Sequence, residues 1–131
     1  MPLDPQKICQ VSVKGLCYND AGAILMVLDN DNEWEIVGGR VEKGEDLIDC
    51  LKRECQEEMG IPCEILDPRP AITYSCLDQD GEQRIMIYFN ISLPHLNFTP
   101  SDECRAINFY SPDEIRSLKT CPQITKLPDY L

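Results

Sequence analysis

Short stretches of alternating or continuous apolar residues run along much of the chain, and they predict β-strands separated by turns. The first stretch alternates, with Cys9, Val11 and Val13 on one face. Asp78-Gln79-Asp80-Gly81 separates two later stretches and is typical of a hairpin turn. The predicted strands cover residues 8–14, 23–28, 71–78, 82–93 and 104–110, and Trp34 and Ile36 also alternate before Gly38-Gly39.

Two helices are predicted, a long central one and a short late one. The central helix covers about Asp46 to Met59, where Asp46 can cap the start and Gly60 can end it in a left-handed conformation. Ser111-Pro112-Asp113-Glu114 has the pattern of a capping box with proline at the first helical position. The chain after Thr120 has no clear pattern. Strands before and after a central helix favour a mixed sheet covered by helices on its faces.

Length and composition set the class of protein. A chain of 131 residues has room for one domain, and 43% hydrophobic with 27% charged residues is ordinary for a soluble globular protein. No apolar run approaches the roughly 20 residues that cross a bilayer. The N-terminal segment MPLDPQKICQ lacks the pattern of a secretory signal, so we expect a cytoplasmic protein with no membrane association.

The chain contains eight cysteines but only one histidine, His95, and no C-x-x-C pair. Zinc-ligand spacing of the usual kind is therefore absent. Without an export signal we expect reduced cysteines that pack as small core residues. A redox role for one exposed cysteine is the alternative.

The formal net charge of −11 argues against a nucleic-acid polymer as partner, because an acidic surface repels the phosphate backbone. Binding of a small anionic substrate requires a local cation that reverses the negative electrostatic potential of the protein at the site. Asp29-Asn30-Asp31-Asn32-Glu33 begins like a calcium loop. Trp34 and Arg40 stand where such a loop needs glycine and glutamate, so we interpret this segment as a turn.

The central helix carries an unusual group of acids. Glu54, Glu57 and Glu58 cluster beside its apolar side, and Glu58 falls inside the apolar arc when residues are placed about 100° apart. Such acids repel one another, and desolvation adds to the cost near a core. Arg53 can reach Glu57 but cannot neutralise three carboxylates. The alternative is that these are solvated surface acids; otherwise the missing partner is a cation.

The segment around these acids has a fixed spacing. It reads Gly39, five residues, Glu45, seven residues, and then Arg-Glu-Cys-Gln-Glu-Glu-Met-Gly-Ile at 53–61. This resembles the Nudix box, G-x5-E-x7-R-E-U-x-E-E-x-G-U with U a bulky apolar residue. Every fixed position matches, although an aliphatic residue is commoner where Cys55 stands. The resemblance implies one Nudix hydrolase domain over residues 1–131, folded as an α/β/α sandwich with a central mixed sheet.

The resemblance also assigns roles to residues. It implies that Glu54, Glu57 and Glu58 bind the catalytic divalent ions, that the Gly38 carbonyl joins the metal shell, and that Glu54 orients or deprotonates water. Arg53 is similar to the residue that orients these acids, so the implied catalytic set is Arg53, Glu54, Glu57 and Glu58.

Two further acids lie outside this helical group. Glu45 is implied to be a partner of Arg53. Ser101-Asp102-Glu103-Cys104-Arg105 resembles the stretch that supplies another metal ligand in mutator-type and oxidised-purine hydrolases, with Glu103 as the ligand. A solvated loop acid is the alternative for Glu103.

The function implied is a Mg²⁺-dependent hydrolysis, with Mn²⁺ as a substitute, of a phosphorus-containing acid anhydride in a small nucleotide-like substrate. Nucleoside triphosphates, including oxidised ones, fit best. The alternatives are another diphosphate derivative, such as a nucleotide sugar or ADP-ribose, and a binding module that has lost catalysis. The protein is expected to be a monomer or a homodimer.

Overall fold

A computed structural model of the protein describes residues 4–131. The first three residues of the N-terminal segment, used above to argue against a signal, lie outside this range. The strands are β1 Gln10–Leu16, β2 Ile24–Leu28, β3 Trp34–Glu35, β4 Gly38–Arg40, β5 Glu64–Ile65, β6 Ile72–Leu77, β7 Gln83–Ser92 and β8 Ala106–Tyr110. The helices are α1 Leu47–Met59, α2 Pro112–Arg116 and α3 Pro122–Thr125, with short 3-10 turns at Pro5–Lys7 and Leu127–Tyr130.

The larger sheet is mixed. β1 runs parallel to β7 through pairs such as Val13 with Ile87, and β4 is antiparallel to the other edge of β1. β5 and β6 are both antiparallel to β7 and occupy successive parts of its remaining edge. A smaller antiparallel sheet has the order β3-β2-β8. The predicted central mixed sheet is confirmed.

The central strands β1 and β2 are buried on both faces, because alternate residues of the same strand enter different cores. One core packs α1 against Val13 of β1, Leu25 of β2 and Phe89 of β7. The other core packs the C-terminal helices against the opposite strand faces; it contains Leu16, Ile24, Met26, Tyr88, Ile115 and Ile124. Helices therefore cover both faces, which confirms the α/β/α sandwich.

Local signals set the helix ends where they were predicted. The Asp46 carboxylate accepts hydrogen bonds from the backbone N–H groups of Ile48 and Asp49, and Gly60 ends α1 in the left-handed region with φ 69°. Ser111 and Glu114 form the reciprocal capping box of α2. Among residues 4–131, no helix has the length and apolar character needed to cross a membrane.

The first strand differs from its prediction. β1 begins at Gln10 instead of residue 8, and Cys9 is exposed outside it. Ser12 and Lys14 form the polar face of β1, opposite Val11 and Val13. This face is buried as well, because β1 has a strand on each side and a core on each face. Ser12 is 1% exposed and Lys14 is 6% exposed. β4, β5 and α3 were not predicted, and α3 lies in the tail whose pattern was unclear.

All eight cysteines lie within the described residues and are free thiols. Seven are buried, as expected for small core residues, and Cys9 is the exposed exception.

Candidate active site

Three carboxylates meet where α1 faces β4 and the loop before β8. Glu54 and Glu58 lie one helical turn apart on α1, and Glu103 comes from the loop. Each offers an oxygen within 4.8 Å of the oxygens of the other two. Glu58 is buried at 5% exposure, Glu54 is half-buried and Glu103 is exposed. We call these three residues the helix-loop acid group.

Strand β4 approaches this group closely because its first two residues are glycines. A Cβ on Gly39 would lie 2.5 Å from the carboxyl carbon of Glu54, so only glycine leaves room for that carboxylate. Gly38 has φ +134°, which side chains rarely adopt, and its N–H donates to Glu58 Oε2 at 3.4 Å. The two glycines bring backbone polar groups next to the acids.

Burial dominates the electrostatics of the helix-loop acid group. It raises the pKa of Glu58 well above the ordinary value, and the nearby charges of Glu103 and Glu54 raise that pKa further. Lys14 and the Gly38 N–H act in the opposite direction. Burial also raises the pKa of Glu54, although Arg53 opposes that shift. Carboxylate oxygens that lie close together and are partly buried suit a hard divalent cation such as Mg²⁺.

Arg53 holds the acids around it through a network of ion pairs. Its Nε and Nη2 donate to the two carboxylate oxygens of Glu45, at 2.7 and 3.0 Å. Its Nη1 donates to Glu54 Oε1 at 2.9 Å and to Glu57 Oε2 at 3.1 Å. The hydrogen bond from Arg53 lowers the pKa of Glu45 to about 2. The guanidinium thus fixes the orientation of Glu54 from outside the cleft.

Four of the predicted site residues border one cleft of about 900 Å³: Gly38, Glu54, Glu58 and Glu103. Arg53 and Glu57 do not border it. The Glu57 side chain is 57% exposed and contacts Arg53, so the structure does not bring it into the helix-loop acid group. Its role as a metal ligand stays a prediction.

Lys14 is a site residue that the sequence reasoning missed. Its Nζ donates to the carbonyl oxygens of Ile36 at 3.1 Å and Gly38 at 3.2 Å, and lies 3.5 Å from Glu35 Oε1. The Gly38 carbonyl, predicted to join a metal shell, therefore has a lysine partner. A lysine inside the stretch Val-Ser-Val-Lys-Gly-Leu was the available signal, because strand positions there are otherwise apolar or small.

The cleft continues along β1 to polar groups that were not predicted from the sequence. Arg84 donates from Nε to Asp78 Oδ2 at 2.8 Å and from Nη1 to Ser12 Oγ at 3.2 Å. Gln123 of α3 lies on the same cleft, and its buried Oε1 has no hydrogen-bond partner among residues 4–131. A buried acceptor without a partner is costly unless a ligand donates to it.

Comparisons with known proteins identify related sequences and structures. The chain matches the model of the NUDIX domain over residues 10–128. It is 28% identical to a nudix hydrolase of Caenorhabditis elegans over 66% of this chain and 23% of that protein. It is 32% identical to the 8-oxo-dGDP phosphatase NUDT18 of Mus musculus over 39% of this chain and 19% of that protein. The chain thus spans about a fifth of the length of these curated relatives.

A solved structure extends the likeness to the whole fold. The MutT protein from Methanosarcina mazei Go1 superimposes with a TM-score of 0.76 at 24% identity, covering 95% of this chain and 91% of that one. At this identity the likeness concerns the fold alone.

Proposed function

The chain belongs to the NUDIX family, and from that premise we propose that it hydrolyses the diphosphate linkage of a small nucleotide-like substrate in a reaction that requires Mg²⁺ or Mn²⁺. One observation carries the proposal: three carboxylates of the family's helix and a following loop converge beside a cleft, and one of them is buried. A buried carboxylate surrounded by others is unfavourable unless a cation neutralises it.

Glu54, Glu58 and Glu103 are the residues that would hold the ion. When bound, a divalent ion neutralises charge on the diphosphate oxygens and lowers the pKa of coordinated water. The donor set fits, since it consists of carboxylate oxygens close enough to share one ion. Glu57 would bind the ion only if its side chain moved away from Arg53. We therefore propose Glu54, Glu58 and Glu103 as the ligands.

The remaining steps fall to the chain's own groups. Arg53 holds one oxygen of Glu54, which orients the other toward the cleft. Burial makes Glu54 a better proton acceptor than an exposed glutamate, and we assign it to orient or deprotonate the attacking water. The water adds to phosphorus as the bridging P–O bond breaks. A nucleoside triphosphate would thereby yield a nucleoside monophosphate and pyrophosphate.

The polar part of the cleft supports a nucleotide as substrate, best a nucleoside triphosphate, including oxidised ones. Arg84 is already paired with Asp78, so it offers hydrogen bonds at a locally neutral site and suits a base carbonyl better than a second phosphate. Gln123 also borders the cleft, and its side-chain amide supplies polar groups that can hydrogen-bond to a base edge. The match to a relative named as an 8-oxo-dGDP phosphatase favours the same substrate class.

The test is release of a nucleoside monophosphate from a panel of compounds at fixed Mg²⁺. The panel holds dGTP, 8-oxo-dGTP, 8-oxo-dGDP, ADP-ribose and a nucleotide sugar, each with and without chelator. We expect chelator-sensitive release that is fastest with an oxidised guanine nucleotide. Preference for ADP-ribose or the nucleotide sugar would replace the proposed substrate but keep the reaction class.

A binding module without catalysis remains the rival proposal, and the same panel separates the two. Nucleotide binding in the presence of Mg²⁺ without release from any compound would support the module. Turnover that survives removal of the metal would contradict the metal-dependent reaction.

A further inference from the structure

Two positively charged side chains border the cleft without a carboxylate partner. They are Arg40, at the end of β4, and Lys43, in the loop between β4 and α1. Among residues 4–131, neither side chain has a nitrogen within 4.0 Å of a carboxylate oxygen. The other two basic residues on the cleft, Lys14 and Arg84, each form an ion pair. Because the chain has 23 acidic and only 12 basic residues, two cations without acidic partners on one cleft favour an anionic ligand there.

The chain holds Arg40 next to the helix-loop acid group. Gly39, which leaves room for the Glu54 carboxylate, directly precedes Arg40, so the two Cα atoms are about 3.8 Å apart. The Arg40 carbonyl accepts from Arg53 Nη2 at 3.4 Å, which ties β4 to the network around Glu54. Arg40 Nη1 donates to the neutral side chain of Gln10 at 3.1 Å. A guanidinium has five N–H donors, so its charge and further donors remain for an anion.

The acid of the same loop does not cancel this charge. Glu42 lies between the two cations in sequence and also borders the cleft, but its carboxylate is 3.8 Å from Arg53. The Glu42 N–H donates to Glu45 Oε1 at 3.1 Å, so the loop is held by the same acid that Arg53 contacts. The negative charge of the loop is thus directed to Arg53, while Arg40 and Lys43 remain on the cleft.

We propose that Arg40 and Lys43 bind the terminal phosphate of a nucleoside triphosphate and thereby favour triphosphates over diphosphates as substrates. This inference rests on the proposed function, which places a phosphate chain beside the neighbouring acids. Water adds to a triphosphate as the α–β bond breaks, which gives the monophosphate and pyrophosphate, and the terminal phosphate takes no part in that bond cleavage. It can therefore accept charge-assisted hydrogen bonds from the arginine and the lysine throughout. A diphosphate gives the monophosphate and inorganic phosphate and has no third phosphate to contact them.

The experiment compares 8-oxo-dGTP with 8-oxo-dGDP, and dGTP with dGDP, by steady-state release of the nucleoside monophosphate at fixed Mg²⁺. Arg40→Met and Lys43→Met each remove one charge from an exposed position. Lys43→Arg keeps the charge and the donors. Lys52→Met is the matched control, since Lys52 is an exposed lysine of α1 that does not border the cleft.

We expect Arg40→Met and Lys43→Met each to lower kcat/KM for the triphosphates about tenfold, because a hydrogen bond to a charged phosphate is lost. The diphosphates should change by less than about twofold, since they lack that contact. Lys43→Arg and Lys52→Met should keep the wild-type preference. An equal fall for triphosphates and diphosphates, or no fall in either Met variant, with folds intact by circular dichroism, would overturn the inference and leave the proposed reaction standing. A wild-type protein that cleaves the diphosphates faster would do the same. A wild-type protein that releases no monophosphate from any of these nucleotides would overturn both the inference and the proposed substrate.

Discussion

Two groups of three acids in this protein meet the same geometric condition, yet their surroundings differ. Asp29, Asp31 and Glu33 bring their oxygens within 4.8 Å of one another, as the helix-loop acid group does. In the turn, however, the Asp29 carboxylate accepts hydrogen bonds at 2.9 Å from the backbone N–H groups of Asp31 and Glu33. None of these three turn residues is buried. The turn's own backbone therefore satisfies Asp29, and none of the three acids is cut off from solvent.

Glu58 of the helix-loop acid group has neither the exposure nor the pair of close backbone donors found in the turn. Glu58 is buried and receives one long hydrogen bond, from the Gly38 N–H at 3.4 Å. Its pKa is raised well above the ordinary value. Proximity of acids is therefore weak support for a metal site, whereas burial without enough donors is strong support. Asp31 of the turn serves as the control for the site in three of the four experiments below.

The largest effect is expected for Glu58→Gln. The substitution keeps the shape of the side chain and removes a ligand charge, so turnover should fall by at least about a hundredfold, the scale of several kcal/mol that metal catalysis supplies. Asp31→Asn should retain the wild-type rate. Steady-state release of nucleoside monophosphate measures both. A Glu58→Gln enzyme with near-wild-type rate would remove Glu58 from the metal shell.

A smaller loss is expected for Arg53→Lys. Lysine keeps the charge but cannot donate to both oxygens of Glu45 while holding Glu54 and Glu57. We expect kcat to fall by roughly 10- to 100-fold with little change in KM, as for residues that orient metal ligands. Arg69→Lys, in an exposed pair with Asp67, is the control. A raised KM with unchanged kcat would show that Arg53 contacts substrate.

Magnesium should stabilise the folded protein, because the ion binds only the assembled site. At a hundred times the dissociation constant, the free energy of unfolding should rise by about 2.7 kcal/mol. Differential scanning fluorimetry measures the increase in melting temperature. Asp31→Asn should keep the increase and Glu54→Gln should lose most of it. An equal loss in Asp31→Asn would mean that the turn, and not the helix, binds the ion.

Much of the scaffold of this site was predictable from local sequence. The Asp46 cap, the Gly60 end of α1 and the turn at 78–81 depend on residues close together in the chain. The burial of Glu58 was predictable too, since its place within the apolar arc of α1 follows from helical geometry. By contrast, β5 has two residues and α3 four, too few to show a period.

The parts of the site that could not be predicted depend on long-range packing. Lys14 contacts Ile36 and Gly38, more than 20 residues away, and only because β1 is central in its sheet is that side chain forced inward. Glu57 and Glu58 are neighbours in sequence but point about 100° apart on the helix. One therefore meets Arg53 and solvent and the other meets the core.

The smallest effect concerns the pH dependence of stability without metal. The folded state raises the pKa of Glu58 above the ordinary value of 4.5, so folding favours its protonated form. The stability contribution of that form is fully present below the ordinary pKa and is lost as pH rises through the raised one. Glu58→Gln cannot ionise and should keep it. In chelator, the variant should therefore gain stability over the wild type as pH rises, by about 1.4 kcal/mol for each unit by which the pKa is raised.

Urea unfolding of both proteins at several pH values from 4 upward measures this difference, and subtracting the two curves removes the contribution of every other acid. Asp31→Asn should show no such gain, because its carboxylate lies in an exposed turn. Adding Mg²⁺ should reverse the order, since the ion stabilises the wild type and has one ligand fewer in Glu58→Gln. A difference in the free energy of unfolding that stays constant across the pH range would mean that Glu58 does not resist ionisation. The burial of Glu58 would then give no reason to expect a cation beside it.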